Sequence, residues 1–142
     1  MKAVSPRQRR PLLVWVVFVW TVLSSGYALV SFWLVYVRAV PIAPDAAVYL
    51  ARLSPLHHAG TVLMLLLNLA GAAALLLLRK IALPLFGLAL ALNVALTLGN
   101  ALTPGFFDAL GGAGAIGLAI GFVIGISVCL YAWRLRSLGI LV

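Results

Sequence analysis

Four long apolar stretches dominate this sequence, and each is long enough to cross a lipid bilayer as a helix. They cover about residues 11–37, 56–78, 81–102 and 110–133. A hydrocarbon core about 30 Å thick is crossed by about 20 helical residues. Backbone polar groups inside hydrocarbon must be satisfied internally, which favours helices. The sequence therefore predicts an all-α fold, a four-transmembrane-helix bundle that forms one integral membrane domain over residues 1–142.

The composition agrees with this class of protein. Hydrophobic residues make up 65% of the chain and charged residues 8%, whereas in a soluble domain about half the residues are apolar and about a quarter are charged. The four stretches use most of the 142 residues. We therefore expect no separate soluble domain.

The positions of the basic residues predict the orientation of the chain. Eight of the ten lie before the first span, between the second and third, or after the fourth: Lys2, Arg7, Arg9, Arg10, Arg79, Lys80, Arg134 and Arg136. An even number of spans puts these three places on one side, and the positive-inside rule makes that side cytoplasmic. Both termini are thus expected on the cytoplasmic side of the membrane. The net charge of +8 is attributed to topology and anionic lipid, with no nucleic-acid partner.

The connection between the first two spans contains residues that predict a further, shorter helix. Pro41 and Pro44 end the first span, and residues 45–53 are helix-compatible behind an acidic start at Asp45. We expect a short interfacial helix in this first outward loop. Ser54 followed by Pro55 has the pattern of a helix N-cap with proline at the first helical position. Residues 106–108 are expected to form the second outward loop.

Polar residues form matched rows on the second and third spans. Asn68 lies 11 residues before Arg79, and Asn93 lies 13 after Lys80. At about 1.5 Å per residue these two side chains fall within about one turn in depth. The short basic turn makes the two spans antiparallel neighbours. The predicted polar seam consists of His57, His58, Thr61, Asn68, Asn93, Thr97 and Asn100.

This seam has two interpretations. Its side chains either hydrogen-bond across a dry helix interface, at about 0.6 kcal/mol for each contact, or they line a small polar cavity. We favour the dry interface, because membrane bundles commonly contain a few Asn and Thr residues. The absence of Asp and Glu from the spans argues against a proton-coupled exchanger.

Small residues mark two further helix faces. Ala113, Gly117, Gly121 and Gly125 repeat every four residues on the last span, a pattern that predicts close packing of a neighbouring helix in the same or another chain. On the first span, Ser and Thr residues between positions 21 and 31 are expected to serve packing as well.

No catalytic, metal or cofactor site is predicted. Cys129 is the only cysteine, so it is expected to be an inert thiol within the last span. His57 and His58 are adjacent on a helix and point about 100° apart, so they cannot supply both axial ligands of one haem. No acid–base or nucleophile set is recognisable, and we expect that the protein is not an enzyme.

One stretch resembles a known group of proteins. A leucine run from Leu75 to Leu78, the basic pair Arg79-Lys80, and the step from Ile81 to Phe86 containing Pro84 are similar to the central hairpin of small uncharacterised bacterial four-span inner-membrane proteins. The resemblance covers about a third of the chain and implies no activity.

These observations predict a non-catalytic accessory, assembly or stabilising subunit of a larger membrane complex. Its partners would be the lipid bilayer and other membrane subunits or further copies of itself. The alternatives are a small oligomeric channel or transporter that uses the polar seam, and a cofactor- or lipid-binding membrane module.

Overall fold

The computed structural model describes residues 11–37, 39–41 and 44–141. Five α-helices and no β-strand occur in these ranges. They are α1 (Leu12–Tyr36), α2 (Pro44–Arg52), α3 (Pro55–Leu76), α4 (Ala82–Ala101) and α5 (Phe106–Ser137). The prediction of an all-α chain is confirmed for this part of the sequence.

Four of these helices are long and apolar enough to cross a membrane, as predicted. They are α1, α3, α4 and the Leu110–Ser137 part of α5, and they correspond to the four apolar stretches of the sequence. The chain is therefore a multi-pass membrane protein.

The sequence signals at the start of α3 are confirmed. The side chain of Ser54 accepts a hydrogen bond from the backbone N–H of His57 at 3.3 Å, and Pro55 occupies the first helical position. Such a cap satisfies one of the N–H groups that have no partner within the helix. The short helix α2 also lies where one was expected, and its place at a membrane surface stays a prediction.

The start of α5 differs from the predicted loop at residues 106–108. These residues form a helical turn that begins after Gly105, whose φ of 86° is left-handed. The ring of Phe106 is buried and lies 6.0 Å from the ring of Tyr49 on α2, which fixes the turn in place. Gly111, with φ 61° and ψ 177°, then interrupts the helix before the apolar span.

The turn between α3 and α4 makes these helices antiparallel neighbours, as predicted. The N–H of Leu78 donates to the carbonyl of Leu75, and the N–H of Arg79 donates to that of Ala74. This pair of bonds satisfies the last carbonyls of α3 and reverses the chain within a few residues. We call this end of the bundle the turn end, and the opposite end, beside α2, the loop end.

The four spans pack in the order α1, α3, α4, α5. In the described part of the chain α3 packs against α1 and most extensively against α4, while α5 packs against α4; α1 and α5 do not form a packed pair. The main hydrophobic core lies at the turn end and includes Val14, Leu75, Ala82, Phe86 and Leu135. The bundle is thus closed at the turn end and less tightly packed further along.

Two glycines allow the close approach of α3 and α4. A Cβ atom added at Gly71 would lie 3.1 Å from ring atoms of Phe86, and one added at Gly60 would lie 3.0 Å from Cδ2 of Leu96. Any larger residue at either contact would force the neighbouring side chain to shift, so both glycines favour the present distance between the helices.

We predict that Gly71→Val destabilises the protein by about 1–3 kcal/mol, since overpacking forces neighbouring side chains or the backbone to shift. Thermal unfolding in detergent, followed by circular dichroism, measures the change. Gly87→Val is the matched control, because a Cβ at Gly87 meets nothing within 4 Å. Equal unfolding temperatures for the two variants would contradict this account of the hairpin.

Candidate functional site

A partly open cavity of about 270 Å³ lies among the four spans, and we call it the central cavity. Its polar lining comes from three helices: Thr21, Ser24 and Ser25 of α1, Asn68 of α3, and Asn93 of α4. Its α5 wall includes Gly117, Gly121 and Gly125, and apolar side chains complete it. These polar residues lie near the middle of their spans.

The sequence predicts that Asn68 and Asn93 lie at similar depths in the membrane, and their positions in the structure agree with this. Both side chains are half-buried and line the central cavity. The side-chain hydrogen bonds found among the described residues include none to either amide. The two amides therefore share a cavity and keep unused donors and acceptors.

The hydroxyl groups of α1 were expected to serve packing, and the structure places them at the cavity. Thr21 is 7% exposed and Ser25 is 5% exposed, yet both line the central cavity. Neither hydroxyl has a hydrogen bond within the described part of the chain, whereas Ser24 Oγ donates to the carbonyl of Thr21 at 3.3 Å. The sequence did contain a signal for this position. Thr21 and Ser25 are four residues apart, and they lie near the middle of their span, as Asn68 and Asn93 do in theirs.

The glycine row of α5 contacts another helix of the same chain at only one of its ends, among the residues that the structure describes. A Cβ added at Gly117 or Gly121 would meet nothing within 4 Å, whereas one at Gly125 would lie 3.2 Å from Leu90 of α4. Ala113 is exposed. Only the Gly125 end of the row therefore touches a neighbouring helix closely, and the open part widens the cavity.

The remaining residues of the predicted seam lie nearer the loop end and form separate local contacts. Thr61 donates its hydroxyl to the carbonyl of His57, one turn earlier in the same helix, at 3.1 Å. The ring of His58 lies 5.7 Å from the ring of Phe32 on α1. Thr97 is half-buried and is not among the residues that line the central cavity.

Asn100 has a partner that the sequence did not suggest. The hydroxyl of Tyr49 donates to Oδ1 of Asn100 at 2.8 Å, joining α2 to the end of α4. Burial raises the pKa of the Tyr49 hydroxyl above its ordinary value. This bond, together with the contact between Tyr49 and Phe106, fixes α2 across the loop end.

An apolar groove of about 370 Å³ runs between α1 and α5, and we call it the α1–α5 groove. It is lined by Leu13, Val16, Val17 and Trp20 on one side and by Ile124, Ser127, Val128 and Tyr131 on the other. Since α1 and α5 are not a packed pair among the described residues, the side of the bundle is open here.

No charged side chain occurs among the residues that line the central cavity or the α1–α5 groove. Within the described ranges, no group of three or more His, Cys, Asp or Glu residues is placed to hold a metal ion. Cys129 is a half-buried free thiol. The site is thus an uncharged one, with amide and hydroxyl groups as its chemistry.

No family model, curated protein or solved structure matches this chain.

We predict that Tyr49→Phe lowers the free energy of unfolding by about 0.5–1.5 kcal/mol, the net contribution of one hydrogen bond. The stabilising bond is also pH-dependent. Because the pKa of Tyr49 is raised in the folded protein, its contribution is complete below the ordinary tyrosine pKa and is lost as the pH rises through the raised value.

Thermal unfolding of the wild type and of Tyr49→Phe between neutral pH and the alkaline range checks both points. The control is Tyr27→Phe, because Tyr27 is 77% exposed. If Tyr49→Phe and Tyr27→Phe unfold alike at neutral pH, the hydrogen bond to Asn100 does not stabilise the fold.

Proposed function

We propose that this protein is a non-catalytic accessory subunit of a larger membrane complex and that it binds an uncharged, membrane-soluble molecule. The observation that carries the proposal is the convergence of amide and hydroxyl groups from three helices on the central cavity. Polar groups inside membrane spans are costly and commonly mark functional sites. A concave, mainly apolar pocket with a few convergent polar groups is the usual form of a small-molecule site.

The cavity favours ligand binding over a dry polar seam at Asn68 and Asn93. A dry seam requires the two amides to hydrogen-bond across the interface. Instead they line a common space, and no hydrogen bond to either is found among the described residues. A ligand oxygen or a water molecule in the cavity would satisfy them.

A channel or transporter is less well supported. The α3–α4 interface is tight at both ends of the cavity, at Gly71 and Phe86 on the turn side and at Gly60 and Leu96 on the loop side. The groove between α1 and α5 instead lies directly beside the cavity and shares lining residues with it. This geometry suits a molecule that enters from the bilayer better than a solute that crosses it.

The accessory role is supported by the uncovered surface of α5. This span has the smallest buried share of the four, and its outward face carries Ile116, Val123 and Leu130, each more than half exposed. Large apolar faces of this kind contact either lipid or other membrane subunits. We infer that this face of α5 meets the partner subunits, or other copies of the chain.

The charge distribution supports the proposed setting, a bacterial inner membrane with both termini in the cytoplasm. Arg79 and Lys80 in the α3–α4 turn and Arg134 and Arg136 near the end of α5 are exposed, and the core contacts put both groups at the turn end. By the positive-inside rule this end is cytoplasmic. Helix α2 would then lie at the outer interface.

To test the accessory role, the tagged full-length protein is expressed at its natural level, extracted in digitonin and separated by native electrophoresis. We expect migration as part of a larger assembly whose other members are identified by mass spectrometry. Val123→Trp, on the exposed face of α5, is expected to release most of the protein from the assembly. Val30→Trp, at a comparably exposed position on α1, is the control. Migration of the wild type as a monomer would refute the accessory role.

To test ligand binding, native mass spectrometry is applied to the purified full-length protein released from mild detergent. We expect a bound neutral molecule on the wild type and loss of most of it in Gly121→Leu. That side chain would extend into the central cavity, where Gly121 leaves open space. Gly87→Leu is the control, since Gly87 also has open space but does not line the cavity. Absence of any adduct on the wild type, or equal adducts on all three proteins, would contradict the binding function.

A further inference from the structure

The central cavity and the α1–α5 groove lie side by side and share part of their walls. Trp20, Ile124 and Val128 line both. The groove continues from these residues towards Leu13, near the start of α1, and therefore towards the turn end. A bound molecule would thus have one part at mid-span and another extending to the turn end.

The two parts of the site differ in polarity. The mid-span part offers the hydroxyls of Thr21 and Ser25 and the amides of Asn68 and Asn93. In the groove, Ser127 donates its hydroxyl to the carbonyl of Val123 in its own helix at 2.7 Å. The hydroxyl of Tyr131 is buried and has no partner among the described residues, so it is shielded from the groove. The groove therefore offers an almost entirely apolar surface.

We propose that the ligand is an uncharged lipid with a single aliphatic chain and a head that carries carbonyl or hydroxyl oxygens. The proposal rests on the binding function proposed above and names the class of molecule bound. The head would lie in the central cavity, where its oxygens accept hydrogen bonds from the amides and hydroxyls. The chain would lie in the α1–α5 groove, with its end towards the α3–α4 turn.

The lining excludes a charged head. No Lys, Arg, Asp, Glu or His lines either part of the site, and an unpaired charge buried at mid-membrane is strongly unfavourable. Amide and hydroxyl groups instead match neutral oxygens, with which they form ordinary hydrogen bonds. The site thus selects against the phosphate and carboxylate heads of common lipids.

Tryptophan fluorescence can report on this site, because Trp20 lies where the cavity meets the groove. The full-length protein carrying Trp15→Phe, Trp33→Phe and Trp133→Phe keeps Trp20 as its one tryptophan. It is placed in nanodiscs of phosphatidylethanolamine and phosphatidylglycerol and titrated with decylubiquinone, a neutral quinone with one alkyl chain. We expect saturable quenching above the linear background from quinone dissolved in the lipid.

The polar residues are tested by Asn68→Leu combined with Asn93→Leu. We expect the half-saturating quinone concentration to rise by about fivefold or more, since two hydrogen bonds are removed. Asn100→Leu is the matched control, because this amide is on the same helix as Asn93 but outside the cavity. Thr21→Val and Ser25→Ala, which alter the shape of the site little, give the same comparison if the double variant does not fold.

Competition separates the possible heads. Dodecanol, with a hydroxyl head, is expected to displace the quinone, and dodecyl phosphate is not.

Two results would overturn the proposal. One is quenching that rises only linearly with quinone concentration and is equal in the wild type and the variants. The other is displacement of the quinone by dodecyl phosphate as effectively as by dodecanol. If a neutral adduct is lost in Gly121→Leu but neither decylubiquinone nor dodecanol binds, the ligand class is wrong and the binding function stands. If no adduct is found and no probe binds, both are wrong.

Discussion

The close contact of α3 and α4 is the interaction on which the rest of this structure depends. Hydrophobic association gives little advantage to helices in hydrocarbon, so their packing relies on close approach and on specific polar contacts. Gly71 against Phe86 and Gly60 against Leu96 provide that approach on both sides of the mid-plane. Helices α1 and α5 then pack on opposite members of this pair. The α3–α4 hairpin is therefore the scaffold, and the outer helices are attached to it.

The same arrangement explains why a cavity exists. The core at the turn end holds α1 and α5 against the hairpin, but further along α5 presents Gly117 and Gly121, which fill no space. The polar side chains of the mid-span region line the space between these glycines and α1. The central cavity therefore combines incomplete helix packing with polar side chains that lack hydrogen-bond partners in the described part of the chain. This coincidence distinguishes the central cavity from ordinary gaps between lipid-facing helices.

Much of the fold follows from the sequence, and the site follows only in part. Hydropathy and the Ser54-Pro55 pattern indicated the spans and a helix start correctly, because a bilayer imposes strong rules on length and backbone bonding. The depth of Asn68 and Asn93 could be counted from the basic turn. The spacing and depth of Thr21 and Ser25 place them level with these amides, but they do not distinguish a cavity wall from a packed helix interface, because small residues have the same spacing in both. The bond between Tyr49 and Asn100 depends on how α2 folds back, which no local pattern specifies.

For the proposed ligand, the sideways opening between the first and last spans would determine whether its concentration in lipid or in water governs occupancy. A molecule reaching the cavity through the α1–α5 groove comes from the hydrocarbon phase, so its mole fraction in the lipid sets the degree of saturation. The free energy of transfer of its aliphatic chain from water, about 0.8 kcal/mol for each methylene group buried, is gained on entry into the bilayer, before it binds the protein. Lengthening the aliphatic chain would raise the affinity measured against aqueous concentration while leaving the affinity within the membrane almost unchanged. Selectivity for the proposed ligand would then come from its head, and the bilayer would supply most of the apparent strength of binding.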